Sequence, residues 1–521
     1  MTFSSLPFLP FPVQFFPLGV DITLSSAFTS QDGSMLRGLS KPIAIASARW
    51  YSLCLLFLTV GCRAPAAPYH FQQDDLSHPT GLVLAQQILA DTGAALTERP
   101  FLSGWELLCE MHDHVVCAAK GAVGKHLVMP WQTPPPLSPD AAPMDPEALE
   151  ACLRGLTGKP LQPAWAGLYT DGPGALAALH ALIDQATSSI DVMMFIWEND
   201  SVGTEIASHL AARASPTLRV RVLIDGGGNL VFCKKKHAPD GRFNRVIGEL
   251  SRHPYVEVIR IRNPFARFDH RKLVLVDGET AWTGGRNFTY TSFFQQHDLS
   301  FSLRGPLVSE LQTTFDQYWV RQGGEMEAVP SDRAVPGPTE VASLSGENAM
   351  ARIVTTEPCK HELARALYRA VDHACQHVYV ENVYFSDGRL VSKLAQARRR
   401  GVDVRVVLTF SSSSHCINRA NMVVANRLLK AGVRVYVYPI MTHAKAASVD
   451  GCWAYLGTGN FDPLSLRHNH EMGLAVSAGP LIGALEDQLF RTDFRPEWEL
   501  VEPLPLSWID YFSEVVASLM L

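Results

Sequence analysis

The sequence predicts an α/β protein built from two copies of one lobe, each a mixed β-sheet flanked by helices, with a single site shared between them. Three observations carry this. First, a six-point pattern occurs twice, 173 residues apart. His270 is followed by Lys272, Asp277, Gly284, Asn287 and Asp298 at offsets of 2, 7, 14, 17 and 28, and His443 by Lys445, Asp450, Gly457, Asn460 and Glu471 at the same offsets. One H-x-K is noise, but six coincident offsets mark an internal repeat. Second, short apolar runs alternate with amphipathic stretches in the same order before both patterns, as in sheets covered by helices. Third, 47% of the 521 residues are apolar and 18% charged, the balance of a folded body.

Taken in order, residues 1–62 read as a leader. Pro7, Pro10, Pro12 and Pro17 interrupt the first apolar stretch and argue against a spanning helix. From Met35 the layout is orderly: Arg37, Lys41 and Arg49 precede the apolar run YSLCLLFLTV at 51–60, which is short for a bilayer but proportioned as a signal segment. It ends at Gly61-Cys62, which resembles the lipidation box of bacterial lipoproteins, with Leu58 one place upstream of the usual position. The expectation is an export signal starting at Met35 with Cys62 lipidated; the alternatives are an uncleaved anchor or a buried apolar segment.

Residues 63–164 form an extension to which no function is assigned. Residues 64–68 read as a tether, 81–97 have helical periodicity, and the proline-rich 132–146 reads as a loop. In an oxidising compartment two of Cys109, Cys117 and Cys152 can pair; equally, all three can remain buried thiols.

The first lobe spans 165–335. Helices are expected over 174–187 and 203–214, and strands over 190–197, 219–225 (ending at Gly226-Gly227-Gly228), 256–262 and 272–276. A Pro/Ser/Gly-rich link, 325–347, leads to the second lobe at 345–490. There the order recurs: helix 359–374, strand 378–385, helix 389–400 closed by Gly401, strand 404–410, helix 418–431 closed by Gly432, and strand 433–439 running to His443. The first lobe takes about ten residues more to reach its histidine, and the surplus holds Lys234, Lys235 and Lys236. Residues 491–521 form a tail.

Within each pattern the residues read as strand, turn, strand, so His270 and Lys272 point the same way. A neutral imidazole is a nucleophile near pH 7, an imidazolium is an acid, and the lysine supplies fixed charge beside it. Asn287 and Asn460 follow glycine turns that allow close approach of backbone to a bound group. The carboxylates Asp298 and Glu471 can take the second ring N–H of a histidine, as in nucleophilic triads. Two lobes facing each other bring together two histidines, two lysines and two asparagines, a set suited to a phosphodiester. No C-x-x-C pair or clustered Cys/His set appears, so no metal and no cofactor are expected.

The stretches HRKLVLVDGETAWTGGRNF and HAKAASVDGCWAYLGTGNFD resemble the paired H-x-K-x4-D motifs of the phospholipase D superfamily, and within it bacterial cardiolipin synthases. The resemblance covers about 165–480. It implies a two-lobed fold, a phosphohistidine intermediate, His270 as nucleophile, His443 as acid and then base, Asp298 and Glu471 as histidine-orienting carboxylates, and Asp277 and Asp450 as residues tying the turn geometry. Thr458 stands where serine is commoner, and the pair of N-terminal membrane helices seen in many relatives is replaced by the single leader.

The expected partners are a phospholipid, with phosphatidylglycerol favoured, and a membrane surface of the bacterial envelope, for a monomer with two lobes. Phe288, Tyr290, Phe293 and Phe294 follow Asn287 and suit an apolar rim, or simply core. Lys234, Lys235, Lys236, Arg242, Arg245, Arg252, Arg260, Arg262 and Arg267 make the approach to His270 basic, for steering or merely as a solvated face. Trp508, Tyr511, Phe512, Val515, Val516 and Leu519 have helical spacing that fits a membrane surface or the domain itself. The net charge of −6 argues against nucleic acid as the partner. Hydrolysis to phosphatidic acid, a metal-independent nuclease, and a non-catalytic scaffold are the competing readings.

Overall fold

A computed structural model describes residues 81–99, 101–109, 135–138, 141–233, 244–326 and 346–520. The leader, the tether, Cys117, Lys234, Lys235, Lys236, Arg242 and most of the link lie outside the described residues.

The first lobe contributes β1 (Gln162–Tyr169), β2 (Ser189–Met194), β3 (Arg219–Asp225), β4 (Val256–Ile261), β5 (Leu273–Val276), β6 (Thr280–Gly284) and β7 (Ser300–Arg304). The second contributes β8 (Glu347–Glu357), the short β9 (Lys360–His361), β10 (His377–Asn382), β11 (Asp403–Leu408), β12 (Arg434–Val437), β13 (Lys445–Val449), β14 (Trp453–Gly457) and β15 (Glu471–Ala478). They form one sheet, ordered β12-β11-β10-β13-β14-β15-β8-β1-β7-β6-β5-β2-β3-β4, with β9 paired to β8. The order is a palindrome about the antiparallel β8–β1 pair, which runs from Gln162↔Ala351 to Ala166↔Glu347. In each half three parallel strands (β2, β3, β4; β10, β11, β12) carry helical crossovers, and four antiparallel strands reach the midline.

Local chemistry starts the helices. Asp171, Asp200, Asp225 and Asp387 cap them through backbone N–H groups of Gly174, Gly203, Gly228 and Leu390. Gly226-Gly227-Gly228 does not merely end β3; it opens a short helix, Gly226–Phe232. A Cβ on Gly228 would lie 2.2 Å from the Phe195 ring, so that glycine is required by packing. The sequence reading missed β1 and β8, whose alternation is broken by small residues and whose burial comes from the partner lobe.

Two cores sit under the outer strands of each half, one around Ile190, Val222 and Trp282, the other around Val380, Val406 and Trp453. A third belongs to both halves: Phe301, Leu303, Phe315 and Trp319 pack with Leu474, Val476, Leu489 and Phe490. The lobes are therefore fused by a common core and a continuous sheet, which fixes their mutual position through apolar burial.

The extension straps both halves. Helix Gly81–Glu98 lies on the first lobe, and helix Pro146–Thr157 lies on the second, against helix Glu362–His373. Three arginines expected to make a basic approach to His270 are instead neutralised by this strap: Arg260 by Asp91 at 2.9 Å, Arg262 by Glu98 at 2.8 Å and Arg267 by Glu106 at 2.9 Å. Cys109 pairs with neither Cys117 nor Cys152. Its disulfide partner is Cys359 in the β8–β9 turn, 250 residues on, and Cys152 is free. Among the described residues no helix is long and apolar enough to cross a membrane.

Of the four aromatics after Asn287, Phe288 and Phe293 are core, while Tyr290 and Phe294 are exposed with ring centroids 5.0 Å apart. Helix Trp508–Met520 packs on helix His415–Lys430 through Ala517 and the ion pairs Arg419–Asp510 and Arg427–Glu514. Its apolar stripe, Trp508, Tyr511, Phe512 and Val515, faces solvent.

Candidate active site

Asp277 and Asp450 set the turns from which the site is hung. Both adopt left-handed backbone (φ 55° in each), immediately before a glycine that does the same. The Asp277 carboxylate accepts from the backbone N–H groups of Thr187, Ser188 and Ser189 and from the hydroxyls of Thr187 and Ser188, all at 2.8–2.9 Å. Asp450 accepts from the N–H groups of Cys375, Gln376 and His377, and from Met144 of the strap, at 2.8–2.9 Å. Each aspartate thus locks the hairpin carrying its histidine to the start of the neighbouring parallel strand. Against the cost of burial, the Ser189, Ser188 and Thr187 donors hold the Asp277 carboxyl below its usual range.

At the midline the two halves exchange partners. His270 Nδ1 lies 3.0 and 3.1 Å from the two oxygens of Glu471, and His443 Nδ1 lies 2.7 Å from Asp298 Oδ2. The carboxylate 28 residues beyond each histidine therefore serves the histidine of the other lobe, where the spacing alone suggested its own. Backbone does the same. His270 N–H donates to His470 O at 3.0 Å and His443 N–H to His297 O at 2.5 Å. The residue before each carboxylate thus holds the opposite histidine strand.

Both histidines, both lysines and both carboxylates are almost wholly buried. Lys272 Nζ donates to His270 O and Lys445 Nζ to His443 O, each at 2.6 Å. With Nδ1 taken by a carboxylate, each ring keeps Nε2 for a ligand. Asn287 and Asn460 are buried with their side-chain oxygens unpartnered. Among the described residues these are two matched polar atoms awaiting a ligand, one from each lobe.

The electrostatics follow from packing two lysines and two imidazoles together out of water. Burial, then Lys445, brings His443 down to about 4. His270 is also lowered, by burial and by Lys272 and Lys445, with Glu471 opposing. Burial brings Lys272 down to about 7 and Lys445 to about 8. Burial works to raise Asp298 and Glu471, but the paired histidines and nearby lysines outweigh it and both stay below the usual carboxylate range. That each lysine is felt by the other lobe's histidine means the two motifs form one site. Its surplus positive charge is the complement of a phosphodiester anion.

Three contacts were not anticipated. Thr458 Oγ1 donates to Glu471 Oε2 at 2.6 Å. The matching position of the first lobe is Gly285, where a Cβ would meet Asp298 Oδ1 at 2.1 Å, so no side chain fits there. Phe195 stands edge-on to His270 with centroids 4.6 Å apart, and its ring lies 4.9 Å from Lys272 Nζ. Only the apolar run at the end of β2 hints at Phe195, and nothing in the spacing reveals the exchange of carboxylates.

Comparisons with known proteins agree with this geometry. The family model described as "Cardiolipin synthase, PLD-like domain" matches residues 179–319 and again 367–492, just over half of the chain. Cardiolipin synthase A of Citrobacter koseri is 26% identical over 388 residues, covering 67% of this chain and 74% of its own length. Cardiolipin synthase A of Pectobacterium carotovorum is 27% identical over 383 residues, with the same shares. The crystal structure of the phosphatidylserine synthase of Haemophilus influenzae has a TM-score of 0.53 at 16% identity, covering 72% of this chain and 96% of that one, and so shares the fold. Two matches to one family model, in a chain whose two halves form one palindromic sheet, establish that the chain belongs to the cardiolipin synthase family of phospholipase D-like proteins.

Proposed function

We propose that the chain is a phosphatidyltransferase that makes cardiolipin from two molecules of phosphatidylglycerol, through a phosphatidyl group carried on His270. The observation that carries this is the pair of crosswise dyads, His270–Glu471 and His443–Asp298, each leaving Nε2 free beside an unpartnered asparagine oxygen and a buried lysine.

His270 Nε2 attacks phosphorus, and the bond from phosphorus to the glycerol headgroup oxygen breaks. His443 protonates the departing alkoxide. Although His443 is neutral in the empty site, a bound phosphodiester anion offsets Lys445 and favours its protonation. The headgroup hydroxyl of a second phosphatidylglycerol then loses its proton to His443 and attacks phosphorus. The P–N bond breaks, giving cardiolipin and, overall, one free glycerol. Lys272 and Lys445 stabilise charge gathering on the non-bridging oxygens, and the amide N–H groups of Asn287 and Asn460 donate to the same oxygens. Glu471 and Asp298 hold the ring tautomers. Tyr290, Phe294 and the outer stripe of helix Trp508–Met520 are apolar surface suited to an envelope membrane.

The test is purified protein with labelled phosphatidylglycerol, read by lipid mass spectrometry beside His270→Ala and His443→Ala. The proposal requires cardiolipin from the wild type and at least about a 1,000-fold loss in each variant. Phosphatidic acid as the sole product means water is the acceptor. Untouched lipid with metal-free cleavage of single-stranded DNA means the substrate is nucleic acid.

A further inference from the structure

Behind the His443–Asp298 dyad lies a second cluster that phosphodiester chemistry does not use. His297 Nε2 is 2.8 Å from Asp493 Oδ2 and 3.5 Å from Glu381 Oε1, and one ligand atom from each of the three falls within 4.8 Å of the others. Glu381 is wholly buried and Asp493 is 3% exposed. Thr442 donates its hydroxyl to Glu381 Oε1, yet Glu381 Oε2 has no partner. The His297 ring is fixed by stacking on Tyr438 at 4.4 Å.

Two buried carboxylates with one imidazole and one hydroxyl between them are short of positive charge. Burial and the neighbouring Asp493 push the Glu381 carboxyl well above its ordinary value. A proton answers the deficit partly, and a divalent cation answers it fully. Bonds of about 2.0–2.2 Å place adjacent ligand atoms of a tetrahedral or octahedral ion about 3.0–3.5 Å apart. The distances from His297 to both carboxylates lie close to that spacing.

We propose that His297, Glu381 and Asp493 form a binding site for a divalent transition-metal ion of the zinc or manganese class, clamping the two lobes and the C-terminal region together. His297 comes from the first lobe, Glu381 from β10 of the second, and Asp493 from the turn after the final core helix. The ion displaces the shared carboxyl proton to solvent. One imidazole nitrogen with two carboxylate oxygens suits such metals better than calcium or magnesium, which take oxygen throughout. The site is structural: its ligands turn away from the Nε2 edges of His270 and His443, and the His297 carbonyl that holds His443 is on the same residue.

The test uses the full chain without a polyhistidine tag, stripped with EDTA, then titrated calorimetrically with zinc chloride and separately with manganese chloride. The expected result is one tight equivalent of one of these ions per chain, a rise in melting temperature on loading, and loss of both in His297→Gln and Asp493→Asn, with affinity down by at least about 100-fold. No tight equivalent in the wild type overturns the proposal. So does an equivalent that survives both substitutions in folded protein. Should the variants not fold, X-ray absorption on the loaded wild type decides. One imidazole and two carboxylate oxygens at about 2.0–2.2 Å support the site, while a sulfur ligand or a second imidazole refutes it.

Discussion

Replacing Asp450 by asparagine removes a charge without changing shape, at a residue that does not face the substrate. Asp450 is 5% exposed and accepts four backbone N–H groups, two on each oxygen. The amide keeps one oxygen and turns an N–H2 toward two of the four donors. Two buried N–H groups are then left without acceptors. At about 1–3 kcal/mol for each orphaned buried donor, the loss is about 2–6 kcal/mol. In a chain of this size a kilocalorie corresponds to about 2 °C or less, so the melting temperature should fall by about 4–12 °C. Differential scanning calorimetry on wild type and variant reads this directly. The same substitution at Asp277 should cost less, because that site is more open and water can reach the stranded donors. A variant melting within 1 °C of the wild type, or Asp277→Asn proving the more damaging, would refute the view that these aspartates anchor the histidine hairpins.

Other outcomes follow from the same structure. The kcat/KM profile should fall on the acid side below pH 6.5, because the free-enzyme nucleophile His270 titrates below its ordinary value, and fall again above about pH 8 as Lys272 (about 7) and Lys445 (about 8) lose their protons; an acid limb centred above pH 7 would contradict it. Asp277 has a folded-state pKa below its unfolded value, so its stabilisation is complete above about pH 4 and is lost as pH falls through the lower folded value; Asp277→Asn should flatten stability against pH in that acid window, and an unchanged slope would count against its hydrogen bonds. Cys109→Ser should destabilise by about 2–5 kcal/mol, since the bond to Cys359 closes a loop spanning 250 residues and ties the strap to β8; insensitivity of the wild-type melt to reductant would exclude this. Trp508→Ser with Tyr511→Ser should change the melting temperature by less than about 2 °C, because both side chains are exposed, yet weaken sedimentation with anionic vesicles; unaltered sedimentation would separate that stripe from membrane binding.

The repeat was legible because its chemistry needs fixed residue types at fixed offsets. His270, Lys272 and Asn287, and their counterparts His443, Lys445 and Asn460, converge because strand alternation and glycine turns are local rules. What the sequence hid is long-range. Asp298 serves His443 and Glu471 serves His270 because a shared core, Phe301 and Trp319 against Leu474 and Phe490, presses the two half-sheets together. Offsets within one lobe carry no information about a partner in the other. For the same reason Cys109 gave no sign of Cys359, and Arg260, Arg262 and Arg267 read as a free basic face until the strap supplied Asp91, Glu98 and Glu106. His297, Glu381 and Asp493 are separated by 84 and 112 residues, beyond any spacing rule for metal ligands.

The account turns on a covalent phosphatidyl group on one histidine, resolved with help from the other. The most direct measurement is a millisecond alkaline quench of wild-type protein with short-chain phosphatidylglycerol, followed by proteolysis and peptide mass spectrometry at high pH, where phosphohistidine survives. A phosphatidyl adduct on the peptide containing His270, formed and discharged at the rate of turnover, is the predicted result. Turnover with no adduct, or an adduct on His443 with cardiolipin still formed by His270→Ala, would contradict it.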